Sequence, residues 1–306
     1  MSMKKYMSYI LKPYQEEAVD QISTAIVSLI EHEGRGEICV FQAPTGSGKT
    51  LMMAKTIEET IRLLDGDDVC FLWMTIGKGD LDLQSKHSLD QYFNGAPRVT
   101  LVAEDYSGGR DRIAKNEVVV ANWEKLRSKD RASGDWKNIL MKDGENINFR
   151  EVLEKTRAKR KLVLIIDESH FGADAERTTE LRQIIDADVV VEMSATPKLL
   201  PTAADVTRHR ASMVLVEPER VIEEGMIKKE IIINEGIAEI AKREQDSQEV
   251  VLEAAYRKRL ALQKAYAEAG ANINPLVIVQ IPTAEAGEDK MKAVKAFLQK
   301  KSITEK

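Results

Sequence analysis

Cysteine is almost missing from this chain: two of 306 residues, Cys39 and Cys70. Each sits inside an apolar run and neither stands at a metal-ligand spacing, which excludes a disulfide-stapled secreted scaffold and points to reduced core thiols. Long apolar runs are missing too. No stretch approaches the ~20 residues needed to span a bilayer, so no membrane partner is expected. Met1–Lys5 is not followed by an apolar stretch of the secretory kind, and the expected location is the cytoplasm. An excess of positive charge is also absent: Lys and Arg number 45 against 50 Asp and Glu, for a net charge of −5. No global basic field advertises nucleic acid, so any such partner must be held by local patches. With 43% hydrophobic and 31% charged residues, the balance is that of a soluble globular protein of one large domain or two.

What is present is a phosphate-binding pattern. An apolar run, Ile38–Phe41, leads into Gln42-Ala-Pro-Thr-Gly-Ser-Gly-Lys-Thr50, and a helical pattern follows with Ala54, Ile57, Ile61 and Leu64 at its spacing. Glycines let backbone N–H groups approach phosphate oxygens, a lysine reaches the β- and γ-phosphates, and a Thr hydroxyl sits on Mg²⁺. Thr45, Gly46, Ser47, Gly48, Lys49 and Thr50 are therefore the candidate binding residues for ATP, with Thr50 toward Mg²⁺. The pattern G-x-x-x-x-G-K-[ST] has Ala43 at its first position. A plain strand–turn–helix junction would explain the glycines but has no need of Lys49 and Thr50.

The chain around this loop alternates helix and strand from about residue 11 to 200. A helix is expected over about 15–32, with Val19, Ile22, Ile26, Leu29 and Ile30 on one face. Strands are expected at Ile38–Gln42, Val69–Thr75, Val99–Val102, Val118–Ala121, Leu162–Asp167 and Val189–Met193. Nearly continuous apolar strands joined by helices imply an α/β fold, a parallel sheet covered on both faces. Its ligands belong beyond the carboxyl ends of the strands. Residues 128–161 interrupt the rhythm as an insertion. Their basic run, with Lys155, Arg157, Lys159, Arg160 and Lys161, reads as a solvated helix face in preference to a phosphate contact. Residues 201–272 read as a connector with short strands, including Ser212–Val216 and Glu230–Asn234, and long helices. Residues 273–306 read as a strand, Pro275–Ile281, and a helix, Lys290–Leu298, that would open a second α/β domain.

Three further constellations fall at expected strand ends or at the entry to the first helix. Leu162-Val-Leu-Ile-Ile-Asp-Glu-Ser-His170 delivers Asp167 and Glu168 from a buried strand. Beside a phosphate loop, Asp167 would hold Mg²⁺ and Glu168 would orient the attacking water; the alternative is a strand closed by solvated acids. Val189-Val-Val-Glu-Met-Ser-Ala-Thr-Pro197 ends in Ser194 and Thr196, which alone would be ordinary turn formers. Leu11-Lys-Pro-Tyr-Gln15 precedes the first helix, and the Gln15 amide could pair with a donor and an acceptor on an adenine edge; otherwise it belongs to a helix cap.

Taken in order, these segments resemble the N-terminal RecA-like motor domain of superfamily 2 helicases, the DEAD/DEAH-box proteins. Within these, the chain is most similar to the motor subunit of type III restriction enzymes, also through Ala121–Leu126, Asn146–Val152 and Glu223–Lys228. The resemblance makes Gln15 the adenine reader and explains Ala43, which is normal at that position. It implies catalytic roles for Lys49, Asp167 and Glu168, and couples His170, Ser194 and Thr196 to the nucleic-acid grip. It also implies that Thr75, Gly108, Gly109, Arg110, Asn122 and Lys125 contact the nucleic-acid backbone, with DNA favoured over RNA.

The implied activity is an ATP-dependent helicase or translocase of a restriction or phage-defence system. An RNA motor, or a nucleotide-switched binding module without translocation, are the alternatives. The family's Gln-x-x-Gly-Arg-x-x-Arg string, which carries arginine fingers worth about 10³–10⁵ in rate, does not occur after residue 200. Weak hydrolysis by this chain alone is therefore expected, with a second polypeptide as a source of the missing lobe, nuclease or modification subunit. Glu288–Lys290 is loosely similar to a nuclease Glu-x-Lys string, but reads as the start of a helix.

Overall fold

The computed structural model describes residues 9–32, 34–77, 79–102, 106, 110–126, 128–129, 136–137, 149–167, 179, 182–197, 200–229, 247–281 and 285–303. The chain forms two compact units, Met1–Lys229 and Glu230–Lys306.

The first unit is built on a parallel sheet. Helix α1 (Pro13–Glu31) is followed by β1 (Glu37–Gln42), α2 (Lys49–Leu63), β2 (Val69–Thr75), α3 (Leu81–Phe93) and β3 (Val99–Leu101). Next come β4 (Val118–Asn122), the short α4 (Trp123–Leu126), and the two-residue strands β5 (Ser128–Lys129) and β6 (Trp136–Lys137), which pair antiparallel. Then α5 (Phe149–Arg157), β7 (Lys161–Asp167), β8 (Val189–Ser194), α6 (Ala203–Thr207), β9 (Ala211–Leu215) and α7 (Pro218–Glu223) complete it. The seven strands of the main sheet run in the order β3-β4-β2-β7-β8-β1-β9, and every pairing is parallel.

Side-chain alternation explains the layers. Along β2, Val69, Phe71 and Trp73 face one core with α1, α2 and α3, while Cys70, Leu72 and Met74 face the other with α4 and α5. Both faces of the strand are buried, as the unbroken run Val69-Cys-Phe-Leu-Trp-Met-Thr75 implies. Both cysteines are free and buried. Burial pushes the Cys39 thiol up to about 12, so it remains an inert core group.

Two expectations change here. β9 pairs with β1 at the edge of the main sheet, so the first unit continues past residue 200. The basic run is a solvated face only at Lys155 and Lys159. Arg157 and Arg160 are largely buried: Arg157 donates to the Ile185 carbonyl and Arg160 to the Ile113 carbonyl. Arg160 also pairs with Asp68 at 3.3 Å and Lys161 with Asp188 at 3.6 Å. These cations tie the amino-terminal ends of the strands together, and α5, inside the expected insertion, packs Phe149, Val152 and Leu153 into the second core.

In the second unit, α8 (Ser247–Glu268) and α9 (Glu285–Lys300) meet through an edge-to-face pair, Tyr256 and Phe297, at 6.3 Å. Lys301 pairs with Glu253 at 2.7 Å. Glu288–Lys290 lies within α9. The strand expected at Pro275–Ile281 is not formed. A strand needs a ladder partner for its backbone; none pairs with it among the described residues, and Leu276 and Ile278 are 86% and 92% exposed. Glu230–Asn234 lies outside the described residues.

Candidate nucleotide site

The carboxyl ends of five central strands bring the candidate residues into one row. Thr75 is in register with Asn122 on β4 and with Asp167 on β7. Asp167 is in register with Met193 on β8, and Ser194 with Gln42 on β1. Neighbouring strands lie about 4.8 Å apart, so the row places Asp167 and Ser194 beside the loop that leaves β1. The Ala43 N–H donates to the Ser194 carbonyl at 3.2 Å, and the Gln42 amide donates to the Ala195 carbonyl at 3.3 Å. The Thr196 N–H closes a turn on the Ser194 hydroxyl at 3.1 Å.

The loop itself has the backbone of a phosphate cradle. Gly46 and Gly48 both lie in the left-handed region, at φ +87° and +88°, where a side chain is strained. Gly48 caps α2, so the unpaired N–H groups of the first helical turn open toward the loop. Lys49 is buried and donates to the Ala43 and Pro44 carbonyls at 3.3 and 3.4 Å. These are long contacts for an ammonium group. The Ser47 hydroxyl is fully buried with no hydrogen-bond partner among the described residues. An orphaned donor, a buried cation and two left-handed glycines fit a polyphosphate.

The metal side fits as well. Thr50, Thr75 and Asp167 line one cavity of about 250 Å³, closed by Ile76, Leu81, Gln84, Ser85 and Ser88. Thr50 and Asp167 are the residues that would hold Mg²⁺. No cluster of three or more His, Cys, Asp or Glu side chains with metal-holding geometry occurs among the described residues.

Gln15 reaches the loop from α1. Its Oε1 accepts from the Lys12 N–H at 2.9 Å, and its Nε2 donates to the Ser47 carbonyl at 2.9 Å. The helix-cap and adenine readings are thus compatible. The cap takes one lone pair and the Ser47 carbonyl one N–H, two of the amide's four hydrogen-bonding positions. Two residues at this loop carry no signal in the reading above. Tyr14 donates its hydroxyl to the same Ser47 carbonyl at 2.7 Å. Ile227 packs over Gly46, 3.1 Å from where a Cβ would stand. The Pro-Tyr-Gln and Glu223–Lys228 strings contain them, but an aromatic and an Ile there read as core.

Glu168, His170, Gly108 and Gly109 lie outside the described residues. Several implied grip residues are occupied by the fold. Arg110 forks onto buried Glu117, with one bond at 2.8 Å, and stacks over Tyr106 at 4.8 Å. The Asn122 amide donates to Thr75 Oγ1 and the Gly77 carbonyl, and accepts from the Glu124 and Lys125 N–H groups. That uses all four of its hydrogen-bonding positions. Thr75 in turn donates to the Ala121 carbonyl. Thr75, Asn122 and Arg110 thus each spend hydrogen bonds within the fold. Lys125 is half exposed and holds Asp80 and Asp82 at 3.2 and 2.7 Å; its hydrogen bond to the Asp82 carboxylate raises its pKa.

No helix among the described residues is long and apolar enough to cross a membrane. Comparison with known proteins agrees with the motif order. Among curated protein sequences none matches. Solved structures with similarity include a nuclease-deletion mutant of the Type ISP restriction-modification enzyme LlaGI in complex with a DNA substrate mimic (13% identity, 97% of this chain and 30% of that chain, TM-score 0.40). They also include the Pyrococcus furiosus Hef helicase domain (17%, 92% and 55%, TM-score 0.38) and S. cerevisiae Dbp5 bound to Nup159, Gle1, IP6 and ADP (15%, 68% and 52%, TM-score 0.35). The chain spans less than two thirds of the length of each. The model of the type III restriction enzyme res subunit matches residues 8–199, more than half of the chain. With its phosphate loop, its parallel sheet and this match, the chain belongs to the type III restriction enzyme res-subunit family.

Proposed function

We propose that this chain is the ATP-binding motor lobe of a DNA translocase, working in a restriction or phage-defence system. The observation that carries the reading is the row Asn122–Thr75–Asp167–Ser194–Gln42 at the strand ends, with the phosphate loop attached to it. A nucleotide and a nucleic-acid track bound along one row can be coupled by small shifts of the strand-end loops.

In this reading, Lys49 neutralises the terminal phosphates. The Gly46–Thr50 backbone and the Ser47 hydroxyl donate to their oxygens. Gln15 spends its remaining donor and acceptor on the adenine edge. Thr50 and Asp167 hold Mg²⁺, which when bound neutralises charge on the phosphate oxygens. Glu168 orients the attacking water. Ser194 and Thr196, tied to Ala43 and β1, pass a change at the loop to the neighbouring strand ends. Lys125 is the exposed cation at those ends, and Thr75 and Asn122 hold its helix in place. The contacts would be to the nucleic-acid backbone and blind to sequence.

In this reading, arginine fingers of the Gln-x-x-Gly-Arg-x-x-Arg kind, a string that residues 201–306 do not contain, are supplied from a second lobe. The test is DNA binding by the 306-residue protein with and without a slowly hydrolysed ATP analogue and Mg²⁺, with duplex RNA as competitor. Nucleotide-dependent binding that duplex RNA fails to displace supports the reading. Equal displacement by RNA rejects DNA as the track, and robust DNA-stimulated turnover by this chain alone rejects the need for a second lobe.

A further inference from the structure

The Ser47 carbonyl accepts two hydrogen bonds from consecutive residues of α1: the Tyr14 hydroxyl at 2.7 Å and the Gln15 amide at 2.9 Å. Both donors are buried. This carbonyl shares a rigid plane with the Gly48 N–H, and the two point in opposite directions. Holding the carbonyl against α1 therefore aims the Gly48 N–H away from α1, to the loop side where a phosphate would lie.

Left alone, this plane would be easy to turn. It is followed by Gly48 and lies one residue after Gly46, both at positive φ, and glycine accepts either sign of φ at little cost. A turned plane would aim a carbonyl at an anion. Burial raises the pKa of the Tyr14 phenol, so its hydroxyl keeps its proton and stays a donor. Its ring belongs to the core packed against α1 and α2, which holds the hydroxyl at fixed height over the loop.

We propose that Tyr14 is a positioning residue of the phosphate site, sharing with Gln15 the task of locking the Ser47–Gly48 peptide in its anion-binding orientation. The proposal rests on the nucleotide reading above and deepens it. It gives Gln15 two roles, one toward the base and one toward the phosphates, and gives Tyr14 the second alone.

Calorimetric titration with two probes separates these roles: ATP, and inorganic tripolyphosphate, which has no base. Tyr14→Phe keeps the ring and removes the hydroxyl. It is expected to weaken both probes by the same factor, about threefold to tenfold, the size of one buried hydrogen bond. Gln15→Ala is expected to weaken tripolyphosphate as well, and ATP by a larger factor. The double variant leaves the carbonyl with no donor and loses more tripolyphosphate affinity than the product of the two single losses. Wild-type tripolyphosphate affinity in Tyr14→Phe overturns the proposal, including the case where only ATP weakens or only the unfolding temperature falls. Should Tyr14→Phe fail to fold, wild-type tripolyphosphate affinity in Gln15→Ala overturns it equally. If the wild-type protein binds neither probe, the nucleotide reading itself fails, an outcome distinct from all of these.

Discussion

The Gln15 amide nitrogen stands 2.7 Å from the point where a side chain at Gly48 would begin. Residue 48 must therefore be glycine twice over: for its left-handed backbone and for the space Gln15 occupies. Gly48→Ala adds about 1–2 kcal/mol of backbone strain and pushes the amide off the Ser47 carbonyl. The expected result is a folded protein with ATP affinity reduced at least tenfold, measured by calorimetry. Unchanged affinity would remove both Gly48 and Gln15 from the site.

Lys49 is expected to dominate phosphate binding. It is buried at the head of α2 and reaches the Ala43 and Pro44 carbonyls at 3.3 and 3.4 Å, which keeps its ammonium group at the phosphate loop. A charge-assisted hydrogen bond is worth about 1.5–3 kcal/mol. Lys49→Ala should weaken ATP and tripolyphosphate together by about tenfold to a hundredfold. Wild-type affinity in this variant would defeat the assignment of the loop.

Glu117 supplies a pH signature of the fold. Burial pushes its carboxyl up, but bonds from Arg110, the Ala114 N–H and Thr100 outweigh that and hold it below its ordinary value of 4.5. As pH falls, the unfolded chain takes up this proton first. The stabilisation is therefore complete above pH 4.5 and is lost as pH falls through the depressed native value. Urea unfolding should show this acid loss, and Glu117→Gln should lack that part of it. Arg110→Ala leaves a buried carboxylate without its cation and should cost about 3 kcal/mol.

The strands were legible because each central one is buried on both faces and must be a continuous apolar run. The phosphate loop was legible because Gly48, Lys49 and Thr50 have no joint purpose in a plain turn. What failed has a common cause: partners distant in sequence. Arg157 and Arg160 look like members of a basic surface run until Ile113, Ile185 and Asp68 are brought beside them. The converse case is Pro275–Ile281, a run as apolar as β2 but with no ladder to join among the described residues. Tyr14 was hidden because an aromatic on the apolar face of a helix reads as core, and only the geometry shows where its hydroxyl goes.

Glu168 follows Asp167 at the end of β7, and its proposed task is to orient water rather than to bind nucleotide. Glu168→Gln keeps the side chain's size and removes its charge. ATP affinity should therefore stay within about twofold of wild type, while residual hydrolysis falls by a factor of about a hundred or more. Single-turnover kinetics at saturating ATP make the comparison. Hydrolysis at the wild-type rate would mean that another group activates the water.

Asn122 separates a scaffold role from a grip role. Its Oδ1 caps α4 by accepting from Glu124 and Lys125, and its Nδ2 reaches Thr75 and Gly77. Asn122→Ala removes a helix cap worth about 1 kcal/mol and leaves the buried Thr75 bond unmade, for a total near 2 kcal/mol. Asn122→Asp keeps the cap oxygen and should lose only part of that. Lys125→Ala, in contrast, removes an exposed charge. It should lower the unfolding midpoint by unpairing the buried Asp82 carboxylate, and, measured where the variant is fully folded, weaken DNA binding and flatten its salt dependence by about one unit of slope. If Asn122→Ala weakened DNA binding at full stability, the amide would be touching DNA directly; the closed set of four bonds argues that the loss will appear in stability instead.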